Sequence, residues 1–389
     1  MAAELHFSDT VYGFGAGVFF VSYCLAQFPS NLILQKIGAR AWLGGTMIVW
    51  GAISAATMAV RTPGAFYSLR LLLGLAEGGF FPGAIFYLTI WFPAPRRGAI
   101  ISSFMTAIAL SGIGGSPLSG WIMDSLAGHH GWNGWKWLFL IEGIPAVTAG
   151  LLVLILLPDS IRSARWLSAD EKSFLEDQVG RPPPAEEPLG SVVGQTLRNR
   201  TVWLFILINF TTTIGLYGIG FWMPQIIADA GISRITEIGM LGAIPYLAAI
   251  VAMVAIGRHS DAKAERKWHM ALSVFSASTG LLLIALAGRS GWVAVSGLSL
   301  ATAGVLSANP LFWAWTTSFL HGTAAAVGIG IICAMGNIAG FFGPFLMGAI
   351  RDATRGPATA VAAIAACLFL SGLLMLGVPA QGAPKISAR

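Results

Sequence analysis

The sequence predicts an all-α protein that crosses a membrane many times, built as two pseudo-symmetric helix bundles. Three observations carry this. Mean hydropathy is +0.74, with 56% hydrophobic and only 10% charged residues, where a soluble domain carries about 25% charged residues. Eleven apolar stretches fall at roughly 11–34, 41–60, 65–92, 98–123, 135–157, 201–228, 236–257, 269–288, 291–318, 323–350 and 357–378. One long polar stretch, 158–200, separates five of them from six. The expected organisation is an N-terminal bundle over 1–157, a linker over 158–200 and a C-terminal six-helix bundle over 201–389.

Each span is long enough to cross a bilayer as a helix. Several contain Gly and Pro, which membrane helices tolerate when neighbours satisfy the freed backbone groups. The linker contains Arg181-Pro182-Pro183-Pro184 and Glu186-Glu187-Pro188, which read as loop or short surface helices. Cys24, Cys333 and Cys367 lie in apolar stretches without metal-ligand spacing and read as inert buried thiols. The first ten residues have neither a basic start nor an apolar core, so no cleavable leader is predicted.

The basic residues set the expected orientation. Sixteen Lys and Arg fall in the linker, the C-terminus and the loops holding Lys36, Arg40, Arg96, Arg97 and Arg258. Six fall on the other side, at Arg61, Lys136, Arg234, Arg289, Arg351 and Arg355. Basic residues collect in cytoplasmic loops, so the linker and C-terminus are expected in the cytoplasm and, with eleven spans, the N-terminus outside. The net charge of +6 is read in the same way, with the lipid bilayer as the surrounding partner and no nucleic acid.

The third span, 65–92, carries Arg70 and Glu77. Seven residues are 700° of helix, so the two share a face to within about 20° and sit about 10 Å apart. Charges within a span are costly and face a cavity or a partner. The two halves echo each other. Gly112, Gly114, Gly115, Pro117 and Gly120 in one span answer Gly336, Gly340, Gly343, Pro344 and Gly348 in another. The two correspond if 98–123 is helix five and 323–350 helix eleven, six apart, in the manner of parallel repeats with a site at their interface.

In this order the motifs resemble the major facilitator superfamily, specifically its anion:cation symporter family of tartrate-, sugar-acid- and phthalate-type organic-anion transporters. They are Tyr12-Gly13, Phe19-Phe20-Val21-Ser22-Tyr23, Pro29-Ser30-Asn31 with Gly38-Ala39-Arg40, Arg70-Leu71-Leu72-Leu73-Gly74-Leu75-Ala76-Glu77-Gly78, Trp91-Phe92-Pro93, Glu142-Gly143 with Pro145, Gly336-Asn337 and Gly343-Pro344. The resemblance covers essentially the whole chain and implies the major facilitator fold of twelve helices, of which eleven are expected here. Residues 1–5 resemble the end of family helix one, so that helix, with its anion-binding arginine, is expected to be missing. Asn31 and Gln35 stand where the family carries a glycine and an acidic residue, which puts coupling through this loop in question.

The resemblance assigns expected roles. Glu77 is the proton carrier, since a low-dielectric cavity disfavours a charged carboxylate; the alternative is a hydrogen-bonded structural glutamate. Arg70 contacts substrate, supports Glu77 or gates the outer side; snorkelling to the interface is the rival. Tyr23 and Asn337 are expected to bind substrate, and Trp313 and Thr316 to line a polar, aromatic wall. Gly38, Arg40, Gly257 and Asp261 mark the conformational loops, and Glu142 is read as structural. The expected function is proton-coupled symport of a small organic carboxylate by a monomer in the cell membrane. No cofactor is expected beyond the proton, and no enzyme activity. The alternatives are organic-anion or drug antiport, or a non-transporting membrane sensor.

Overall fold

A computed structural model describes residues 1–179, 194, 196–286, 290–319 and 322–378. The Pro182–Pro184 run and Arg181, Arg289, Lys385 and Arg389 lie outside the described residues, as do the side chains of Asn31, Gln35, Arg96, Arg97 and Ser318. The helices are α1 (Ala2–Leu5), α2 (Asp9–Ile37), α3 (Ala39–Ala56), α4 (Pro63–Glu77), α5 (Phe80–Trp91), α6 (Ala94–Ser125), α7 (Gly134–Leu156), α8 (Ala169–Val179), α9 (Arg200–Asp229), α10 (Ile235–Lys263), α11 (Lys267–Leu286), α12 (Gly291–Phe319), α13 (Gly322–Thr354) and α14 (Pro357–Gly377). No strand occurs among the described residues.

Among the described residues, ten segments are long and apolar enough to cross a membrane. The stretch 98–123 lies within α6, a 32-residue helix. One correction concerns the 65–92 span. It is two helices, α4 and α5, broken at Gly78-Gly79. Pro82 explains the break: it has no N–H for the Gly78 carbonyl four residues back, and its ring crowds that position.

Packing follows the six-apart register. Counted so, α3 against α7 in the first half answers α11 against α14 in the second, and α2 against α4 answers α10 against α12. The halves meet through two helix pairs related by the same register, α2 with α13 and α6 with α10. Small residues let these backbones approach. A Cβ on Gly51 would sit 2.8 Å from the Gly143 carbonyl oxygen, and one on Gly143 would sit 2.7 Å from that of Gly51. In the cross-half pairs, Gly13 lies against Pro344, Gly17 against Phe341, and Gly120 against Gly239. The two Gly/Pro runs noted in the sequence are therefore the seams between halves.

The turn from α2 to α3 is a single residue. Gly38 has φ +87°, which a side-chain-bearing residue rarely adopts. The carboxylate of Asp159, beyond the end of α7, accepts from the Arg40 N–H at 2.8 Å. An acidic group thus reaches this loop from another part of the chain, where the sequence offered only Gln35 locally.

Candidate functional site

Helix α4 begins at Thr62, whose side chain accepts from the Ala65 N–H, and enters through Pro63, a residue suited to a helix's first turn. Its glycines lay it against α2. A Cβ on Gly74 would come within 2.2 Å of the Phe19 carbonyl oxygen and the Ser22 hydroxyl, and one on Gly78 within 2.4 Å of the Tyr23 carbonyl oxygen. This close approach turns Arg70 and Glu77 inward against α2.

Arg70 is held by the backbone and by rings. Its Nε donates to the Gly15 carbonyl at 3.2 Å and a terminal nitrogen donates to the Ala16 carbonyl at 3.4 Å. Its guanidinium lies 5.0 Å from the Phe19 ring centroid and 5.8 Å from that of Phe221, at distances typical of cation–π attraction. Phe221 comes from α9, so the arginine is clasped by both halves. A guanidinium has five N–H donors in a planar fork, and these two carbonyls leave part of it available to an anion. Glu77 is partly buried, and no hydrogen bond or contact ion pair to it is found among the described residues.

Tyr23 lies on the same wall. Its ring is 5.6 Å from Phe19, and it lies near Gln27, Glu77 and Cys333. Tyr217 of α9 closes the other side, with its ring 4.3 Å from Phe20. Tyr12 stands edge-on to Trp222 at 5.5 Å and lies near Arg70. The result is a chamber of tyrosines and phenylalanines with one cation and one carboxyl.

A sequence model of the Major Facilitator Superfamily matches residues 1–344. The chain belongs to the major facilitator superfamily. It is 42% identical over 385 residues to a putative metabolite transport protein, NicT, of Pseudomonas putida, covering 98% of this chain and 87% of that protein. It is equally identical, at 42% over 385 residues, to a putative tartrate transporter of Agrobacterium vitis, covering 99% of this chain and 88% of that one. A crystal structure of a bacterial homolog of the human lysosomal transporter Spinster, in an inward-facing and occupied conformation, superposes with a TM-score of 0.79 at 14% identity, over 97% of this chain and 90% of that one. The family and these relatives are transporters, not enzymes, and the protein is a multi-pass membrane transporter.

The structure of this major facilitator protein separates the remaining expected residues. Asn337 lies on the face of α13 that carries Ala334, whose carbonyl accepts from the Cys24 thiol at 3.7 Å, and Gly340, which abuts the Phe20 ring. It is one turn beyond Cys333, which neighbours Tyr23, and so it joins the chamber's edge. Trp313 and Thr316 do not. Trp313 packs edge-on to Phe312 at 5.0 Å. Thr316 is wholly buried, and its hydroxyl has no partner among the described residues. Their neighbour Trp315 packs on Phe205, which is sixteen residues, about 24 Å of helix, from Phe221. Glu142 accepts from the Ser119 hydroxyl at 2.5 Å, an interhelical bond between α6 and α7.

The loop residues stand apart from the chamber. Gly38 and Arg40 meet Asp159 as described. Asp261 pairs with Arg266 at 3.9 Å, and Gly257 has open space around its α-carbon. All three cysteines are free and half-buried. Sequence reasoning missed Tyr12, Tyr217, Gln27, Phe221 and Asn209. Asn209 of α9 donates to the Ile332 carbonyl at 3.0 Å and lies against Gly336. A polar residue within an apolar span was the available signal for each of Tyr12, Tyr217, Gln27 and Asn209.

Proposed function

We propose that the protein is a proton-coupled symporter of a small organic carboxylate, in the class of sugar acids, hydroxy acids and aromatic acids. It works as a monomer in the cell membrane by alternating access, with 1–157 rocking against 201–389 and the 158–200 linker and C-terminus in the cytoplasm. One observation carries the reading. Arg70 and Glu77 share one face of α4, both are partly buried, and Phe221 from the opposite half covers the arginine. A cation with spare donors suits a carboxylate, because a planar fork can hold two oxygens at once. A carboxyl beside it with no fixed partner suits a proton. Closing both halves around the anion gives each bound species a preferred state, which drives the rocking.

The Lys and Arg bias supports the orientation, and the similarity to a putative tartrate transporter of Agrobacterium vitis supports a hydroxylated acid such as tartrate. The tyrosine hydroxyls of the chamber suit hydroxyl groups on the substrate.

The test is uptake of radiolabelled tartrate into proteoliposomes with an imposed pH gradient. Uptake should rise with an inward proton gradient. Glu77→Gln should abolish that dependence while exchange of internal for external tartrate continues. Arg70→Lys, which keeps charge but loses the fork, should raise KM more than it lowers the maximal rate. Gradient-driven uptake that survives intact in Glu77→Gln would overturn the coupling role. No transport of any tested carboxylate would overturn the substrate class.

A further inference from the structure

Among the described residues, contacts between the halves reach one end of the molecule. Along α2 and α13 they run from Asp9 with Asp352 to Cys24 with Ala334. Along α6 and α10 they run from Gly112 with Tyr246 to Asp124, which accepts from the Thr236 hydroxyl at 2.5 Å. At this end Arg351 of α13 forks between two carboxylates. Its Nε donates to Asp9 of α2 at 2.9 Å and a terminal nitrogen donates to Asp229 of α9 at 2.6 Å. Its guanidinium also lies 5.0 Å from the Trp222 ring of α9. The Arg351 side chain is 9% exposed, against 37% for Asp9 and 23% for Asp229.

The two carboxylates are not equivalent. Asp229 and Trp222 belong to the same half as Arg351, while Asp9 belongs to the other. Asp352, next to Arg351, adds a second tie across the seam. Its carboxylate accepts from the Asp9 and Thr10 N–H groups at 3.2 and 2.8 Å, at the start of α2.

We propose that Asp9–Arg351–Asp229 is a two-position latch, in which Asp9 closes this end of the molecule and Asp229 holds the arginine when the end opens. The physical reason lies in the cost of an unpaired charge. Removing the sole partner of a buried guanidinium is strongly unfavourable, and a gate with one carboxylate would open only at that cost. With Asp229 moving along with Arg351, opening exchanges the Asp9 bond for water while the charge stays neutralised. Asp9 therefore favours the closed end and Asp229 lowers the cost of leaving it. The inference rests on the alternating-access reading but not on the substrate or the coupling ion.

Neutralising the two carboxylates should have opposite effects. Spin labels at Arg61→Cys and Ala353→Cys, one in each half at this end, read its opening by electron–electron distance in nanodiscs. The background carries Cys24→Ala, Cys333→Ala and Cys367→Ala. Asp9→Asn should shift the distribution toward long distances, changing the open-to-closed ratio about tenfold, the effect of losing one charge-assisted hydrogen bond from one of two states. Asp229→Asn should shift it the other way, leaving this end closed and slowing exchange. Arg351→Lys keeps the charge without the fork. It should give a milder opening, and it reads the same latch if an aspartate variant does not insert. Opening by both aspartate variants alike would reduce the cluster to ordinary stabilisation and overturn the proposal, as would unchanged distances in Asp9→Asn and Arg351→Lys. Because no substrate or gradient enters this measurement, a failed tartrate assay does not alter what the distances say about the latch. Unaltered distances alongside normal uptake would reject the latch alone.

Discussion

The C-terminal half is built around a helix, and the N-terminal half around an interface. In the C-terminal half, Phe205, Ile208 and Ile227 of α9 are fully buried and join Met270, Leu298, Ile332 and Leu368 from the surrounding helices in one continuous core. Among the described side chains of the N-terminal half, the buried apolar residues fall into small groups, such as Phe7, Val60 and Phe66, or Ala39, Leu43 and Ala84. The face of α7 is open, with Ile144, Leu151 and Ile155 at 54%, 49% and 73% exposure. The N-terminal half carries Arg70 and Glu77, the charges proposed for the chemistry, and meets its partner through Phe221 and Arg351.

That contrast is open to direct attack. The largest effect should come from Phe205→Ala, which removes a fully buried ring from the C-terminal core and should cost about 3–5 kcal/mol. The same truncation at Phe86, 40% exposed in the N-terminal half, should cost about 0.5 kcal/mol. Unfolding followed by size-exclusion in detergent compares the two, and equal losses would erase the distinction.

A smaller effect, of opposite sign at two positions, sharpens the picture of the N-terminal half as an interface. Gly74→Ala forces a methyl into the Phe19 carbonyl and Ser22 hydroxyl and should destabilise by about 1–3 kcal/mol. Gly45→Ala meets nothing within 4 Å and should stabilise by about 0.5–1 kcal/mol through helix propensity. Melting temperatures moving the same way for both would show that α2 and α4 are not closely apposed.

The smallest effect is electrostatic. Glu4, at the edge of the N-terminal half, accepts from the Trp135 indole, and this bond, aided by Lys136, holds its carboxyl below the ordinary 4.5. A carboxyl lowered in the folded state stabilises above its unfolded value, and that contribution fades as pH falls through the folded one. Melting should therefore show a slight extra loss below about pH 4.5 that Glu4→Gln removes, with Phe205→Ala retaining it. A pH profile unchanged by Glu4→Gln would mean the α1–α7 contact contributes nothing.

Much of this architecture was legible in the residues. Apolar runs, Gly/Pro punctuation and the spacing of Arg70 and Glu77 are local patterns, and each marks a helix or a face without help from elsewhere. Pro82 with Gly78-Gly79 also announced the break, but hydropathy averages over it. What stayed hidden depends on distance in the chain. Asp159 reaches Arg40, and Arg351 reaches Asp9 and Asp229, across more than a hundred residues each. No sequence pattern specifies such pairs until the helices are packed. Thr316 shows the converse difficulty: a polar residue in a span marks a place that needs a partner or a cavity, and full burial looks the same from sequence.

The break after Glu77 has a mechanical side. A straight helix from Pro63 to Trp91 would move as one rod. Two rods meeting at Gly78-Gly79 form a crank with Glu77 at the elbow. The distal arm, α5, has 12 residues, about 18 Å of lever at 1.5 Å per residue. A turn of about 10° at the elbow would swing its far end by about 3 Å. A change confined to one carboxyl thus has, in the backbone beside it, a joint able to enlarge it into a displacement that neighbouring helices must follow.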